Sequence, residues 1–180
     1  VGALALDANT TANSNTAVGY NTLGANTTGT NNVSVGHNSS ITNTTGAANT
    51  ALGQRSLASN ISGNNHVAIG RNALSSNTTA SNNTAVGHSA LLSNTTGSNN
   101  VAVGQIALED NTTGTQNVAI GRGSMASNTT ANNNVAVGIN ALAANTDATG
   151  NVAVGAAALN QSTGQNNTAV GCFTMDANTT

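Results

Sequence analysis

The sequence lacks the residue types from which most enzymes assemble a catalytic site. Its 180 residues include no proline and no tryptophan, and only one cysteine, one phenylalanine and one tyrosine. Three basic and five acidic residues leave a formal net charge of −2, and the acidic residues form no recurring pair. Because catalysis and cofactor binding depend on clustered polar and ionisable groups, we expect no enzymatic activity and no cofactor.

The same shortages exclude several classes of partner. Nucleic-acid binding requires a basic patch, and the only cations are Arg55, Arg71 and Arg122. The apolar runs are too short for a transmembrane helix or a signal-peptide core, so we expect no membrane insertion of this segment. Because Cys172 is the only cysteine, it can form no internal disulfide and it provides no set of zinc ligands. We therefore expect it to be a free surface thiol.

What the chain does contain is a repeat. Asparagine, alanine and threonine number 33, 31 and 28 respectively. A glycine recurs every 17 residues, and only the last spacing is 16. These glycines are Gly2, Gly19, Gly36, Gly53, Gly70, Gly87, Gly104, Gly121, Gly138, Gly155 and Gly171. Such a strict register over eleven units predicts ordered stacking rather than a disordered tract.

The other positions of the unit fall into columns when each is numbered from its glycine as 0. Position +4 is Leu or Met from Leu6 to Met175, with Ser40 as the exception. Position +7 is Asn in every unit but one, from Asn9 to Asn178. Position +13 is Asn except at His66, which we interpret as a tolerated substitution. Stacked coils would bring these asparagines together, so we expect Asn ladders along the array.

The three residues before each glycine predict the fold class. They read [Val/Thr]-Ala-[Val/Ile/Leu], with Ser34 once in the middle, and this period-two alternation is typical of a strand. Asn-Thr-Thr-Gly indicates a turn, and the Ala-Leu segment is a second short strand or an arc. We predict an all-β, single-stranded parallel β-solenoid (a β-roll or β-helix) of about eleven coils, with residues 1–180 as one continuous array.

The columns also predict which side chains face inward. We expect positions +4, +14 and +16 to form the core and positions +1, +2 and +11 to be exposed. Alternation then turns the alanine at +15 outward, and its uniformity suggests that another copy of the chain packs against it, as a homo-oligomer, most simply a trimer. The predicted subunit interface is Ala17, Ala51, Ala68, Ala85, Ala102, Ala119, Ala136 and Ala153.

Position +1 holds the most varied long polar side chains. We predict a surface-contact stripe of Tyr20, His37, Gln54, Arg71, His88, Gln105 and Arg122. Two alternatives remain open at this point. The column is either a solvated corner beside the glycine, or its histidines hold an ion on a trimer axis. His37 and His88 lie three coils apart, about 14 Å, so one chain cannot bring them onto one metal, and no metal site is predicted.

Two segments resemble known fibrous proteins. N-T-A-V-G at 83–87 and N-V-A-I-G at 117–121 resemble the short motif of trimeric autotransporter adhesin heads. The longer 17-residue unit is similar to repeats of bacteriophage tail fibres and related bacterial surface fibres. The resemblance implies a left-handed parallel β-roll in three chains side by side, located extracellularly, at a cell surface or in a virion fibre. The adhesin repeat is shorter, so the turn here carries extra residues.

The function that these patterns favour is structural and adhesive. We expect a rigid repeat rod of an extracellular fibre, part of a bacterial adhesin head or a phage tail-fibre shaft. Its expected partners are further copies of itself and a cell-surface receptor, glycan or matrix. Threonine pairs at +8 and +9 keep an ice-binding solenoid as an alternative. A self-assembling extracellular fibril subunit, pairing through open sheet edges, is another.

Overall fold

The computed structural model describes residues 2–177 and contains ten strands and no helix in that range. Each strand is three residues long and falls at positions +14 to +16 of its unit. The strands are β1 (Thr16–Val18), β2 (Val33–Val35), β3 (Thr50–Leu52), β4 (Val67–Ile69), β5 (Thr84–Val86), β6 (Val101–Val103), β7 (Val118–Ile120), β8 (Val135–Val137), β9 (Val152–Val154) and β10 (Thr168–Val170). Asn178, at the end of the predicted +7 column, lies outside the described residues.

One parallel sheet contains all ten strands in chain order, so each repeat is one coil of a β-solenoid. The register is uniform, with Thr84 paired to Val101 and Ala85 to Ala102. The fold class predicted from the sequence is therefore confirmed. The ten strands span about nine turns, and steps of about 4.8 Å give a stack about 43 Å long.

Two features of the structure require glycine at position 0 of the repeat. Its φ is +131° at Gly19 and +139° at Gly53, in a region that residues with a side chain rarely adopt. Each glycine also lies against the next coil. A Cβ atom added to Gly19 would be 2.6 Å from the carbonyl oxygen of Gly36. No other residue fits both the conformation and the approach.

The Ala-Leu segment forms turns and no second strand. Left-handed residues occur at +2 and +4 of each coil, as at Ser89 (φ 56°) and Leu91 (φ 54°). The backbone still bonds to both neighbouring coils, because Ser89 N donates to Arg71 O at 3.0 Å and Leu91 N to Ala107 O at 3.0 Å. These bonds and the burial of Leu91 hold a conformation that costs about 1–2 kcal/mol per residue in isolation.

The side chains at +4 lie in the core, as predicted. The prediction of which strand side chains face inward was wrong, because the two sets are exchanged. The +4 residues from Leu57 to Leu142 are fully buried, and Ser40 is nearly so. In the strands, however, the middle residue is the buried one: Ala85 and Ala102 have no exposed surface, whereas Val86 and Val103 are half-buried. Positions +14 and +16 therefore point outward, and +15 points inward.

The narrow cross-section of the coil explains this inversion. Position +15 faces position +3 of the next unit across the interior, because Ser34 Oγ donates to Ser39 Oγ at 2.7 Å. Position +3 is itself buried and small, as at Ala90 and Ser124. Two strand positions as large as valine would not fit between these walls. The single alanine fits, so the larger aliphatic residues face outward.

The expected exposure is correct for the predicted stripe at +1, but at +2 and +11 it is correct only for a minority of residues, such as Arg55 and Asn13. At +2, Ser89 is buried and Asn72 is half-buried, and at +11 Ser81 and Thr115 are half-buried. The coils above and below cover these side chains. Ser81 Oγ, for example, accepts a hydrogen bond from the backbone N of Asn64 one coil away, at 3.0 Å.

Candidate functional site

An outward strip of aliphatic side chains runs along the sheet from β1 to β10. We call it the aliphatic strip; it consists of positions +14 and +16. Position +14 contributes Thr16, Val33, Thr50, Val67, Thr84, Val101, Val118, Val135, Val152 and Thr168, and position +16 contributes Val18, Val35, Leu52, Ile69, Val86, Val103, Ile120, Val137, Val154 and Val170. No charged side chain interrupts it. Val18 is 44% and Ile120 is 40% exposed, so the strip is open to a partner.

The strip is large for an exposed apolar surface. Its length is about 43 Å, and a three-residue strand is about 10 Å wide. The product is about 400 Å², within the range in which the largest apolar patch of a protein is often an interaction site. The aliphatic strip is therefore a candidate binding surface.

The predicted alanine interface is corrected by the same geometry. Ala51, Ala68, Ala85, Ala102, Ala119, Ala136 and Ala153 have no exposed surface, and Ala17 is 8% exposed. These side chains pack inside their own coil, so they cannot contact another chain. The interpretation failed because uniform small residues indicate close packing without showing whether the packing lies within one chain or between chains.

The predicted contact stripe at +1 is exposed along its whole length. Tyr20, His37, Gln54, Arg71, His88, Gln105 and Arg122 are all exposed and follow one another coil by coil. The rings of Tyr20 and His37 stack with centroids 5.4 Å apart and planes inclined by 15°. The stripe is thus a continuous, mixed polar surface. Its role in contact with a partner stays a prediction.

The one local electrostatic feature near this stripe involves Glu109. Partial burial raises the pKa of its carboxyl above the usual range, and the neighbouring Asp110 raises it further, while His88 opposes the shift. Within residues 2–177 no three His, Cys, Asp or Glu side chains come together as they would around a metal ion. Cys172 is exposed as a free thiol, as expected.

The interior carries an asparagine ladder at +7. Each side-chain amide donates to the amide oxygen of the preceding coil, as Asn94 Nδ2 does to Asn77 Oδ1 at 3.0 Å. The same nitrogen donates to a carbonyl of its own turn, that of Gly97, at 2.9 Å. The ladder runs without interruption from Asn9 to Asn145. It satisfies polar groups that the thin core would otherwise leave unpaired.

A second ladder runs along +13. The backbone N of Asn100 donates to Asn83 Oδ1 at 2.9 Å, and its side-chain Nδ2 donates to Gly114 O at 2.8 Å. Asn100 Oδ1 in turn accepts from the backbone N of Asn117 at 3.0 Å. Both ladders were expected from the columns in the sequence. What the sequence did not predict is that most of these asparagines are buried.

Comparison with known proteins gives no match for this chain. No protein-family model, no curated protein and no solved structure matches it. In the described part of the chain there is no pocket, and no helix there is long and apolar enough to cross a membrane. The repeat geometry and the two outward surfaces are therefore the basis for a functional assignment.

Proposed function

We propose that this chain is a structural and adhesive segment of an extracellular fibre, in which copies associate as a trimer through the aliphatic strip. The observation that supports this proposal is the strip itself: twenty outward strand positions carry sixteen aliphatic residues, four threonines and no charge. An uncharged surface of this length is disfavoured in water. Covering it with an identical surface matches its apolar character and its coil spacing along the full length.

The area of the strip favours three copies over two. A stable interface buries about 800 Å² per partner, and the strip alone offers about 400 Å². Around a threefold axis each rod contacts two neighbours, so the strip and the polar columns beside it are buried together. Closed symmetry of this kind also prevents open-ended aggregation through the strip.

The adhesive role is assigned to the stripe at +1. Its exposed side chains alternate between aromatic, amide and basic groups, as at Tyr20, Gln54 and Arg71. Such groups offer both hydrogen-bond donors and stacking surfaces to a receptor, glycan or matrix. An extracellular location, at a cell surface or in a virion fibre, belongs to the same proposal, because a rigid rod serves to hold a binding surface away from its base.

The test of the assembly is the mass in solution, measured by light scattering. The wild-type chain should have three times the 17.4 kDa chain mass. Val86→Asp together with Val103→Asp places charges on the strip and should give the monomer mass with the β-rich circular dichroism retained. The control, His88→Asp together with Gln105→Asp, places the same charges at +1 and should leave the trimer intact. A folded wild-type monomer would contradict the proposal.

Ice binding is the second candidate, favoured by one observation. Position +9 presents a rank of exposed threonines, Thr28, Thr45, Thr79, Thr96, Thr113 and Thr130. The neighbouring threonines at +8 are less suited, because their hydroxyls donate to the backbone of the next coil, as Thr95 Oγ1 does to Thr112 O at 3.0 Å. Thermal hysteresis in freezing solutions, lost in a Thr79→Lys and Thr96→Lys double variant, would support this alternative over the fibre role.

A further inference from the structure

One buried side chain in the core differs in kind from all its neighbours. His66 occupies the +13 ladder and is 1% exposed. Every other buried polar side chain in the described chain is Asn, Ser or Thr, none of which titrates between pH 4 and 8. His66 is thus the one place where the core of the rod can gain a charge in that range.

His66 reproduces the three hydrogen bonds of an asparagine at +13, one through its backbone N and two through its ring. Its backbone N donates to Asn49 Oδ1 at 3.0 Å. Its Nε2 lies 2.7 Å from Ala80 O, in the place of the asparagine Nδ2. Its Nδ1 accepts from the backbone N of Asn83 at 3.2 Å, in the place of the asparagine Oδ1.

These contacts determine the tautomer. Ala80 O can only accept, so Nε2 must carry the proton, while the Asn83 amide can only donate, so Nδ1 must be bare. The side-chain nitrogen of Asn77 also lies 3.2 Å from Nε2, but it donates to Asn60 Oδ1 at 2.8 Å and to Ala80 O. The neutral ring with its proton on Nε2 therefore satisfies the site.

A second proton has no place in this site. It would set Nδ1–H against the backbone N–H of Asn83, two donors at 3.2 Å. The residues that contact His66 lie in its own coil and in the two neighbouring coils, and none of them is titratable: Asn49, Gly63, Asn77, Ala80 and Asn83. No carboxylate is available to balance the charge. Burial lowers the pKa of His66 below its usual range, although hydrogen bonding to the backbone of Ala80 and of Asn83 opposes the shift.

We propose that His66 makes the contact between its coil and the next an acid-sensitive joint in a core whose other buried polar side chains do not titrate between pH 4 and 8. When the imidazole gains a second proton, the hydrogen bond to Asn83 is lost and the two coils separate locally. Because each coil contacts only its neighbours, the opening stays near residues 63–84. Elsewhere the +13 ladder is built from asparagines, which keep their hydrogen bonds in acid.

The sign of the pH dependence follows from linkage. The open form binds a proton with a pKa near 6.5, whereas the closed form binds it only at lower pH. The open form therefore holds more protons below about pH 6.5, and the opening equilibrium increases up to about tenfold for each further pH unit. The increase ends when the closed form is protonated as well.

The experiment is hydrogen exchange of the full chain between pH 4.5 and 7.5, with rates divided by the intrinsic chemical rate. Val67 N, which donates to Asn83 O, reports on the joint, and Val101 N, which donates to Asn117 O, is the matched amide in an all-asparagine region. We expect the protection of Val67 to fall by about tenfold per pH unit below about pH 6.5, while that of Val101 stays constant.

Two variants complete the test. His66→Asn restores the residue of the column and should abolish the acid-dependent loss at Val67. His88→Asn removes an exposed histidine and should leave that loss unchanged. Nitrogen NMR of the unaltered chain at pH 7.5 should show a bare Nδ1 on His66. Equal pH responses at Val67 and Val101, an acid response that persists in His66→Asn, or a protonated Nδ1 would each overturn the proposal.

Discussion

At the scale of single residues, the size of a side chain decides which way it points. The strand positions alternate, but inside and outside are assigned by the width of the coil. Ala102 is fully buried, while its larger neighbours Val101 and Val103 are half-buried. In most proteins the aliphatic residues would be the buried ones. Here the backbone segments at +3 and +15 face each other across the interior, and the space between them is too narrow for valine or isoleucine side chains.

Enlarging an interior alanine should therefore be worse than shrinking an outward valine. Ala102→Val adds two methyl groups where no space exists, and overpacking should lower the free energy of unfolding by about 1–3 kcal/mol. Val103→Ala removes two methyl groups from a half-buried position and should cost less than about 1 kcal/mol. Urea unfolding followed by circular dichroism gives both values. If Val103→Ala were the more damaging change, the inward assignment of +15 would be wrong.

At the scale of the coil, the turns are stabilised by polar ladders and by backbone approach instead of by apolar volume. The +7 amide joins three groups at once, since Asn94 bonds to Asn77, to Gly97 and to Asn111. The glycine at 0 lets two coils meet at backbone distance. Each feature can be removed by one substitution with a matched control in the same turn.

Removing one amide from the +7 ladder should be costly. Asn94→Ala leaves Asn77 Oδ1 without its donor, removes one of the two acceptors of Asn111 Nδ2, which keeps Gly114 O, and removes one donor from Gly97 O. At about 1–3 kcal/mol for the unsatisfied Asn77 Oδ1 and about 1 kcal/mol for each of the two other lost hydrogen bonds, the loss should be about 3–5 kcal/mol in thermal unfolding. Thr96→Ala alters an exposed side chain of the same turn and should change stability by less than about 0.5 kcal/mol. Similar losses in both variants would argue against the ladder.

The two glycine columns should respond differently to alanine. Gly87 has a φ of +139° and faces the Gly104 carbonyl, so Gly87→Ala introduces both strain and a clash. We expect a loss of at least about 2–3 kcal/mol. Gly97 lies in column +10, where Ala80 and Ala131 occur naturally. A Cβ atom added there would also approach a backbone carbonyl, that of Gly114, but the backbone of Gly97 has no positive φ, so Gly97→Ala should cost less than Gly87→Ala. The melting temperatures of the two variants compare them directly; a tolerated Gly87→Ala would contradict the requirement at position 0.

At the scale of the whole molecule, the rod is a one-dimensional array. Each strand pairs only with the strands one coil before and one coil after it, so stability is a sum of coil terms and nearest-neighbour contacts. Within residues 2–177, strands contact only the strands of neighbouring coils. The length of the rod is therefore adjustable in whole repeats without any change in the packing of the remaining coils.

Deleting one whole repeat should shorten the rod and preserve the fold. Removal of residues 88–104 joins Gly87 to Gln105 and restores a complete 17-residue unit. We expect unchanged circular dichroism per residue and a length reduced by about 4.8 Å in small-angle X-ray scattering. Removal of residues 88–95 deletes about half a coil, shifts every ladder out of register and should abolish cooperative unfolding. If both deletions folded equally well, the coil would not be the structural unit.

The sequence by itself determined the repeat, the coil length, the strand position and the ladders, because these depend only on which residues recur at which spacing. The recurrence of Asn at +7 and +13, Leu at +4 and glycine at 0 predicts stacked coils, whichever face of the strand is buried. Only the tertiary structure decided that Ala85 lies inside and Val86 outside. Period-two alternation is symmetric between the two faces of a strand. The distance across the coil, which no local pattern records, removes that symmetry, so the tertiary structure was needed to place the aliphatic strip and the candidate interface.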